Sequence, residues 1–298
     1  MQQSFMKIFG IFGDPIEHSL SPAMQNAALR ALGEAACYHA FRVRPERLED
    51  AVLGAAAMGF GGLNLTIPLK EKALKLEILQ PDELARAIGA VNTISFRQED
   101  QNIAGHNTDG DGALLALQDA GVRVRESKVL LIGAGGAARA IAYTLEQEGA
   151  RITIANRSIQ KAQQLAACVG GLGFSLDELS RLVPGSDIVI NATSVGMKEG
   201  DPRLFDRRLL HSDQTVFDVV YNRETELLQD ARKAGARAID GVMMLVYQGA
   251  KALEIWTGKK APVVVMERAV RESLRERQAK VEKETKESRE MRKAEETR

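Results

Sequence analysis

The sequence has little cysteine, no excess of either charge and no long apolar run. Its two cysteines, Cys37 and Cys168, lie far apart in 298 residues and form no CxxC pattern, which argues against a disulfide framework and a zinc site. The 40 basic and 40 acidic side chains cancel, so no global charge favours nucleic acid or an anionic membrane. No apolar run reaches the ~18 residues of a membrane span, and the N-terminus lacks a signal-peptide pattern. We therefore expect a cytoplasmic protein without a metal site.

The order of apolar segments predicts an α/β fold with two domains. Strand-like runs such as KIFGIFG and YHAFRV alternate with helical ones such as SPAMQNAALRALG, which ends at Gly33. This alternation predicts parallel strands with crossover helices. The length suggests two domains, an N-terminal α/β domain (1–108) and a doubly wound Rossmann-type domain (109–239). We expect residues 240–274 to form helices that return to the first domain, and the charged tail, 275–298, to form a solvated helix.

A glycine-rich turn marks the second domain as a dinucleotide-binding domain. The segment VLLIGAGGAARA places Gly133, Gly135 and Ala138 at the fingerprint spacing, directly after a strand and before a helix. Gly133 permits the tight turn, Gly135 lets the backbone approach a pyrophosphate, and Ala138 allows close packing of helix and strand. The free N–H groups of the helix N-terminus then face the phosphates.

The end of the next strand indicates which dinucleotide binds. NAD enzymes place a carboxylate there for the ribose hydroxyls. Here the strand RITIA is followed by Asn156, Arg157 and Ser158, with Lys161 one turn later. Two cations without a carboxylate suit a 2′-phosphate, so we predict NADP rather than NAD. The alternative is that Arg157 only terminates a surface strand.

The segment NLTIPLK, residues 64–70, predicts a strand that delivers a lysine to a cleft. Alternation places Leu65 and Ile67 toward the core and leaves Asn64 and Thr66 for the ligand side. Pro68 cannot donate to a sheet, so strand pairing ends there and Lys70 follows it. The alternative is a charged residue in a surface turn.

Other polar groups occur where packing alone does not require them. Ser19 and Ser21 precede Pro22; Ser21 is predicted as the N-cap and Pro22 as the first helical residue. Two hydroxyls at a helix N-terminus also suit a carboxylate.

Two further polar residues lie in apolar runs, and an aspartate precedes a predicted helix. Asn92 interrupts IGAVNTI, and Gln248, alternatively a satisfied core amide, interrupts an apolar helix. Asp109 is either a functional carboxylate or an N-cap, whereas Asp111 suits capping alone. Together with the serines and Lys70, these groups suit a small polyhydroxylated acid that exchanges a hydride with the dinucleotide.

Eight segments make the chain similar to shikimate dehydrogenases. They are SLSP, NLTIPLK, GAVNT, GHNTDG, GAGGAARA, NRS, NATSVGM and GVMMLVYQGA, in the family's order, within residues 7–274. The resemblance implies NADPH-dependent reduction of 3-dehydroshikimate to shikimate in aromatic amino-acid biosynthesis. Some relatives use quinate or NAD, so a quinate/shikimate dehydrogenase with relaxed cofactor use is the alternative. A non-catalytic NADP sensor is disfavoured, because a sensor needs neither Lys70 nor Asp109.

The resemblance also implies residue roles and a monomer or homodimer. Lys70 and Asp109 form the catalytic pair. The implied substrate contacts are Ser19, Ser21, Asn64, Thr66, Asn92, Tyr221 and Gln248. The implied pyrophosphate contacts are Gly133, Ala134, Gly135, Gly136, Ala137 and Ala138. The implied contacts to the adenosine ribose and 2′-phosphate are Asn156, Arg157, Ser158 and Lys161. The implied residues at the nicotinamide end are Thr193, Ser194, Gly196, Met197, Gly241 and Met244.

The chain departs from the family pattern in one loop. YNRETELL, which begins at Tyr221, is shorter than the usual segment and lacks both of its prolines. We expect a loop of different shape near the cleft, with Tyr221 itself retained. The Ser-x-Ser pair, Ser19 and Ser21, favours shikimate over quinate, since quinate use is associated with threonine at the second position.

Overall fold

The computed structural model describes residues 6–97 and 102–296, and side chains as far as residue 280. The strands are β1 (Lys7–Gly13), β2 (Ala36–Arg42), β3 (Gly62–Leu65), β4 (Gln80–Pro81), β5 (Thr93–Arg97), β6 (Asn102–His106), β7 (Lys128–Ile132), β8 (Arg151–Asn156), β9 (Leu172–Ser175), β10 (Ile188–Asn191), β11 (Thr215–Asp218) and β12 (Arg237–Ile239). The helices are α1 (Ser21–Ala31), α2 (Leu48–Ala57), α3 (Lys70–Ala73), α4 (Glu83–Ile88), α5 (Asp109–Asp119), α6 (Gly136–Gln147), α7 (Ile159–Cys168), α8 (Leu179–Leu182), α9 (Glu226–Lys233), α10 (Val242–Thr257) and α11 (Val263–Glu296).

The first sheet has the strand order β2-β1-β3-β5-β6-β4. Strand β1 is parallel to β2 and β3, but β5 runs antiparallel to both β3 and β6. The prediction of parallel strands throughout is therefore wrong here. Strands β5 and β6 are joined by a short connection, which suits an antiparallel pair, whereas a parallel pair needs a crossover of a dozen residues or more. As a result the start of β5 lies beside the end of β6, with Thr93 opposite His106.

The second sheet is parallel in every pairing, with the order β12-β11-β10-β7-β8-β9. This is the doubly wound order, in which β8 and β9 extend the sheet on one side of β7 and β10 to β12 on the other, so the strand order reverses between β7 and β10. Ligands bind such sheets outside the carboxyl ends of the strands at that reversal. The predicted α/β fold with a Rossmann-type domain is confirmed.

The C-terminal helices α10 and α11 pack on the first domain. Met24 of α1, Val246 of α10 and Met266 of α11 are fully buried in one apolar cluster that also contains Phe9 of β1. Trp256 joins α10 to the sheet, because its ring stacks on Phe9 at 5.0 Å and its indole N–H donates to the Ile94 carbonyl at 2.9 Å. No helix in the described ranges combines the length and hydropathy of a membrane span.

Strand β3 is shorter than the sequence predicts. It ends at Leu65, which is buried, whereas Ile67 is 67% exposed, so the prediction that Ile67 faces the core is wrong. The chain leaves the sheet one residue after Leu65, because Thr66 donates its N–H to the Phe12 carbonyl and the Ile67 carbonyl accepts from the Asp14 N–H. These bonds hold a turn that leads directly into α3.

Candidate active site

Lys70 and Asp109 form a nearly buried ion pair. Lys70 begins α3, Asp109 begins α5, and the Lys70 Nζ lies 2.5 Å from the Asp109 Oδ2. Their side chains are 17% and 5% exposed. Such a pair is screened less by water than a surface pair, so its attraction is stronger. The Lys70 carbonyl also accepts from the Val91 N–H at 2.9 Å, which fixes the start of α3.

Asn92 holds the Asp109 carboxylate in place. Its Nδ2 donates to Asp109 Oδ1 at 2.8 Å and to Thr108 Oγ1 at 3.0 Å, and its Oδ1 accepts from the Thr108 N–H at 2.9 Å. The antiparallel β5–β6 pair creates this contact, because Asn92 precedes β5 and Asp109 follows β6. Both N–H groups of the Asn92 amide are thus used within the protein. A contact from Asn92 to substrate, which stays a prediction, would require an exchange of partners.

Asp109 is not the N-cap of α5, which was the alternative left open by the sequence. Thr108 occupies the cap position, and Asn107 Oδ1 accepts the Asp109 N–H at 3.0 Å. The Asp109 carboxylate therefore remains available to Lys70 and Asn92. The structure shows no side-chain cap bond for this helix, so the prediction of Asp111 as a capping residue is not supported.

A buried tyrosine that the sequence analysis missed links two of the predicted substrate residues. Tyr38 is fully buried; its hydroxyl donates to Asn64 Oδ1 at 2.8 Å and also interacts with Ser21. Asn64 Nδ2 in turn donates to Thr93 Oγ1 at 3.1 Å. The only signal in the sequence was an aromatic residue in β2 that carries a polar tip, and such a tip needs a partner when buried.

Ser19 and Ser21 lie at the start of α1, and the structure corrects the predicted N-cap. Leu20, not Ser21, occupies the cap position, so Ser21 is the first helical residue and the predicted cap is wrong by one position. Ser19 Oγ accepts the Ser21 N–H at 3.2 Å and so satisfies one free donor of the helix start. Ser21 is nearly buried and Ser19 half-buried.

The three remaining predicted substrate residues, Thr66, Tyr221 and Gln248, are half-buried. Gln248 is half-buried on α10 against Gly112, one turn after Asp109 on α5, and its Nε2 donates to the Leu245 carbonyl at 2.8 Å. Thr66 is half-buried beside Gly13. Tyr221 packs against the cluster that holds α1, α10 and α11.

The glycine turn is open where a pyrophosphate would bind. Gly133 has φ +119°, a conformation that favours glycine, and a Cβ there would lie 2.8 Å from the Ala192 carbonyl oxygen. A Cβ on Gly135 would meet nothing within 4 Å, so the start of α6 is accessible. Ala138 is fully buried, while Ala134 and Ala137 are half-buried. The residues present therefore fit a dinucleotide at this helix N-terminus.

The Lys70–Asp109 pair adjoins this turn. A Cβ on Gly136, the first residue of α6, would lie 3.5 Å from both Cβ and Cδ of Lys70. The Lys70 side chain therefore passes the helix N-terminus on its way to Asp109. A hydride carrier whose phosphates lie at α6 would reach the same cleft as the lysine.

The end of β8 offers two unpaired cations. Arg157 and Lys161 are exposed, and neither makes an ion pair among the residues that the structure describes. Ser158 caps α7 by accepting the Lys161 N–H at 3.4 Å, and Asn156 Nδ2 donates to the Ser158 carbonyl at 3.1 Å. The arrangement leaves both cations and a helix N-terminus available to a phosphate.

The predicted nicotinamide end is a loop held by buried polar groups. Thr193 Oγ1 donates to Asn191 Oδ1 at 2.7 Å, and Gly196 is buried with φ +99°. Ser194 and Met197 are exposed. Gly241 and Met244 lie at the start of α10, where Gly241 packs on Val219 and Met244 is buried in the core of the second domain.

The loop that departs from the family pattern is tied to this segment. Asn222 Nδ2 donates to the Met197 carbonyl at 3.0 Å, and Arg223 donates to the Gly196 carbonyl at 3.2 Å. Thr225 caps α9 and donates to Asp218 Oδ2 at 2.7 Å. The two loops therefore form one hydrogen-bonded unit without the prolines.

Asp218 is a buried carboxylate whose protonation should affect stability. Burial raises its pKa from 3.8 to about 6, against the lowering effect of hydrogen bonds from Thr225, Val220 and Asn191. The folded chain thus holds this proton more tightly than the unfolded chain. The contribution of Asp218 to the free energy of unfolding should be greatest below pH 4 and should fall by about 3 kcal/mol as pH rises past 6.

The measurement is urea unfolding of the wild type and Asp218→Asn between pH 4 and pH 7. We expect the difference in unfolding free energy between the two proteins to change over this interval in favour of the variant. The exposed Asp213→Asn serves as the control and should follow the wild type. If the difference in unfolding free energy between the wild type and Asp218→Asn did not change with pH, the raised pKa of Asp218 would be contradicted.

A lysine–aspartate pair next to the phosphate turn of a doubly wound sheet defines a nicotinamide-dependent oxidoreductase with a separate substrate domain. Family models match three stretches of the chain: the shikimate dehydrogenase substrate binding domain over residues 11–94, shikimate / quinate 5-dehydrogenase over 115–199, and the shikimate 5'-dehydrogenase C-terminal domain over 241–271. The chain belongs to the shikimate dehydrogenase family.

Individual relatives agree with this membership. The chain is 62% identical over 269 residues to shikimate dehydrogenase (NADP(+)) from Methanothrix thermoacetophila, in an alignment that covers 90% of this chain and 98% of that one. A crystal structure from Thermus thermophilus in complex with NADP(H) and shikimate has a TM-score of 0.82 at 34% identity, covering 90% of this chain and 99% of that one. Quinate dehydrogenase from Corynebacterium glutamicum in complex with NAD has a TM-score of 0.81 at 31% identity, covering 89% and 98%.

Proposed function

We propose that this chain catalyses the NADPH-dependent, reversible reduction of 3-dehydroshikimate to shikimate. The observation that carries the proposal is the Lys70–Asp109 pair, 2.5 Å apart and beside the N-terminus of α6. The Methanothrix relative, of which this chain matches 98%, supports it by its name as an NADP(+) enzyme. The step belongs to aromatic amino-acid biosynthesis, and we assign it to the cytoplasm.

Lys70 acts as the proton donor in this reaction. NADPH, when bound, supplies the hydride to the substrate carbonyl. The Lys70 ammonium donates a proton to the developing alkoxide, and its charge stabilises that oxygen. Asp109, held by Asn92, orients the Lys70 ammonium through the contact at 2.5 Å. In the oxidation direction the same lysine, as a neutral amine, accepts the proton from the substrate hydroxyl.

The substrate is held at the other end by Ser19 and Ser21 at the start of α1. Their hydroxyls and the free N–H groups of the helix suit a carboxylate. The ring hydroxyls are bound by Asn64, Thr66 and Gln248, with Asn92 in a supporting position. These assignments extend the hydrogen-bonded cluster around Tyr38 into the cleft.

The cofactor is NADP, held by the glycine turn and by the cations that follow β8. We expect Arg157→Ala to raise the KM for NADPH about tenfold, because a charge-assisted contact to the 2′-phosphate is lost. The KM for NADH, which lacks that phosphate, should not change and provides the internal control. Steady-state kinetics with both cofactors measure this, and an unchanged KM for NADPH would show that Arg157 only ends the strand.

A quinate/shikimate dehydrogenase with relaxed cofactor use is the second candidate. The structural likeness to the Corynebacterium quinate dehydrogenase favours it, whereas the serine at position 21 favours shikimate. One spectrophotometric assay separates the two, in which shikimate and quinate are each oxidised with NADP+ and with NAD+.

We expect the highest kcat/KM for shikimate with NADP+. Comparable rates with quinate or NAD+ would establish the second candidate. No reduction of either cofactor by either substrate would contradict both. A monomer or homodimer is expected, and light scattering on the same preparation determines which.

A further inference from the structure

An arginine of the charged tail contacts the loop that precedes α1. Arg277 lies on α11, beyond residue 271 where the C-terminal family model ends. Its Nη1 donates to the His18 carbonyl at 2.7 Å and its Nη2 to the Ser19 carbonyl at 3.2 Å. The prediction of a wholly solvated tail is therefore wrong at this residue. The fork of a guanidinium suits two neighbouring carbonyls better than an ammonium would.

The contact lies beyond the last stretch that a family model matches, which ends at residue 271. Arg277 follows the last matched family domain and is half-buried, whereas its neighbours Arg275 and Glu276 are exposed. The side chain is thus directed to the loop rather than to solvent.

The charge of Arg277 is not neutralised by a carboxylate in the described ranges. Lys70, by contrast, is paired with Asp109, and the hydroxyls of Ser19 and Ser21 carry no charge. The Tyr221 phenol lies within the field of Arg277: burial raises the pKa of Tyr221, and the charge of Arg277 opposes that rise. The cation therefore acts on the side of the cleft that contains Ser19 and Tyr221.

We propose that Arg277 is a positioning residue for the substrate carboxylate. It fixes the His18–Ser19 backbone so that the two serine hydroxyls are presented together, and it supplies the positive charge that those hydroxyls lack. The inference rests on the proposed function, in which Ser19 and Ser21 bind that carboxylate. It adds to the site a residue from outside the three matched family domains.

Kinetics of full-length variants test this inference. We expect Arg277→Ala to raise the KM for shikimate about tenfold, since the bonds that fix the Ser19 backbone and a nearby positive charge are lost. The kcat and the KM for NADP+ should stay within about twofold of the wild type, because Arg277 touches neither Lys70 nor the glycine turn. Arg277→Lys, which keeps the charge without the fork, should recover part of the loss. Arg275→Ala, on the exposed side of the same helix, is the matched control.

Salt dependence separates a charge effect from a purely structural one. Added NaCl should raise the wild-type KM for shikimate through screening and should affect the Arg277→Ala variant much less. Normal turnover with an unchanged KM in Arg277→Ala would overturn this inference alone. The inference would also be overturned if kcat and both KM values changed together in Arg277→Ala, or if the KM for shikimate of Arg277→Lys were as high as that of Arg277→Ala. Absence of shikimate turnover by the wild type would overturn the proposed function as well.

Discussion

Replacement of Lys70 by alanine is expected to lower kcat by about 10²–10⁴-fold, the usual contribution of a positioned general acid. The substrate KM should change little, because the serines and amides that we propose to bind the substrate lie on other elements. The loss should appear in both directions of the reaction, since the same nitrogen donates and accepts the proton. Initial rates of NADPH oxidation and NADP+ reduction measure it.

Lys72→Ala is the matched control for this experiment. Lys72 is on the same short helix and makes no side-chain hydrogen bond or ion pair among the described residues, so its replacement should leave kcat unchanged. A large rise in the substrate KM of Lys70→Ala with kcat intact would make Lys70 a binding residue.

Asp109→Asn is expected to lower kcat by about 10²-fold or more and also to destabilise the fold. An asparagine can still accept the bond from Asn92 through its oxygen, but its NH₂ group then faces the Lys70 ammonium, donor against donor. Lys70 loses its partner at 2.5 Å in a site where it is only 17% exposed. The cost should be about 1–3 kcal/mol of unfolding free energy. Rates and urea unfolding of one preparation measure both effects.

Asp111→Asn tests whether the loss is specific to the first residue of α5. Asp111 lies in the same helical turn and forms no ion pair with Lys70, so the variant should keep wild-type kcat. The double variant Lys70→Ala, Asp109→Asn should be no slower than Lys70→Ala, because the two groups act as a unit. Independent, multiplicative losses would mean that Asp109 has a role apart from Lys70.

The contact between Lys70 and Asp109 could be predicted from the sequence even though part of the sheet could not. The resemblance placed Lys70 with Asp109, and the structure brings these side chains together. The local pattern gave no strand direction, however, so β5 was expected to be parallel. Its direction depends on a short connection and on pairing with β3 and β6. That pairing, rather than the sequence of IGAVNTI, brings Asn92 to the start of α5.

The residues that the sequence analysis missed act through contacts between distant segments. Tyr38 joins Asn64 across 26 positions, and Arg277 joins Ser19 across 258. Neither contact has a local signature, because a tyrosine in a strand and an arginine in a charged helix are both ordinary. The N-cap of α1 was also predicted wrongly, one residue too late, at Ser21 instead of Leu20. Ser19 and Ser21 are both good capping residues, and only the backbone decides which one accepts the bond.

The anchoring of Lys70 and Asp109 has a consequence for how the enzyme can change over time. The Lys70 backbone is fixed by Val91 and the Asp109 carboxylate by Asn92, so contacts within residues 70–109 hold this pair in place. The cations that we propose to select the cofactor, Arg157 and Lys161, follow β8 of the other sheet. Substitutions there can exchange one dinucleotide for the other without disturbing the acid. Natural selection can therefore change which dinucleotide the reaction uses without changing the residues that transfer the proton.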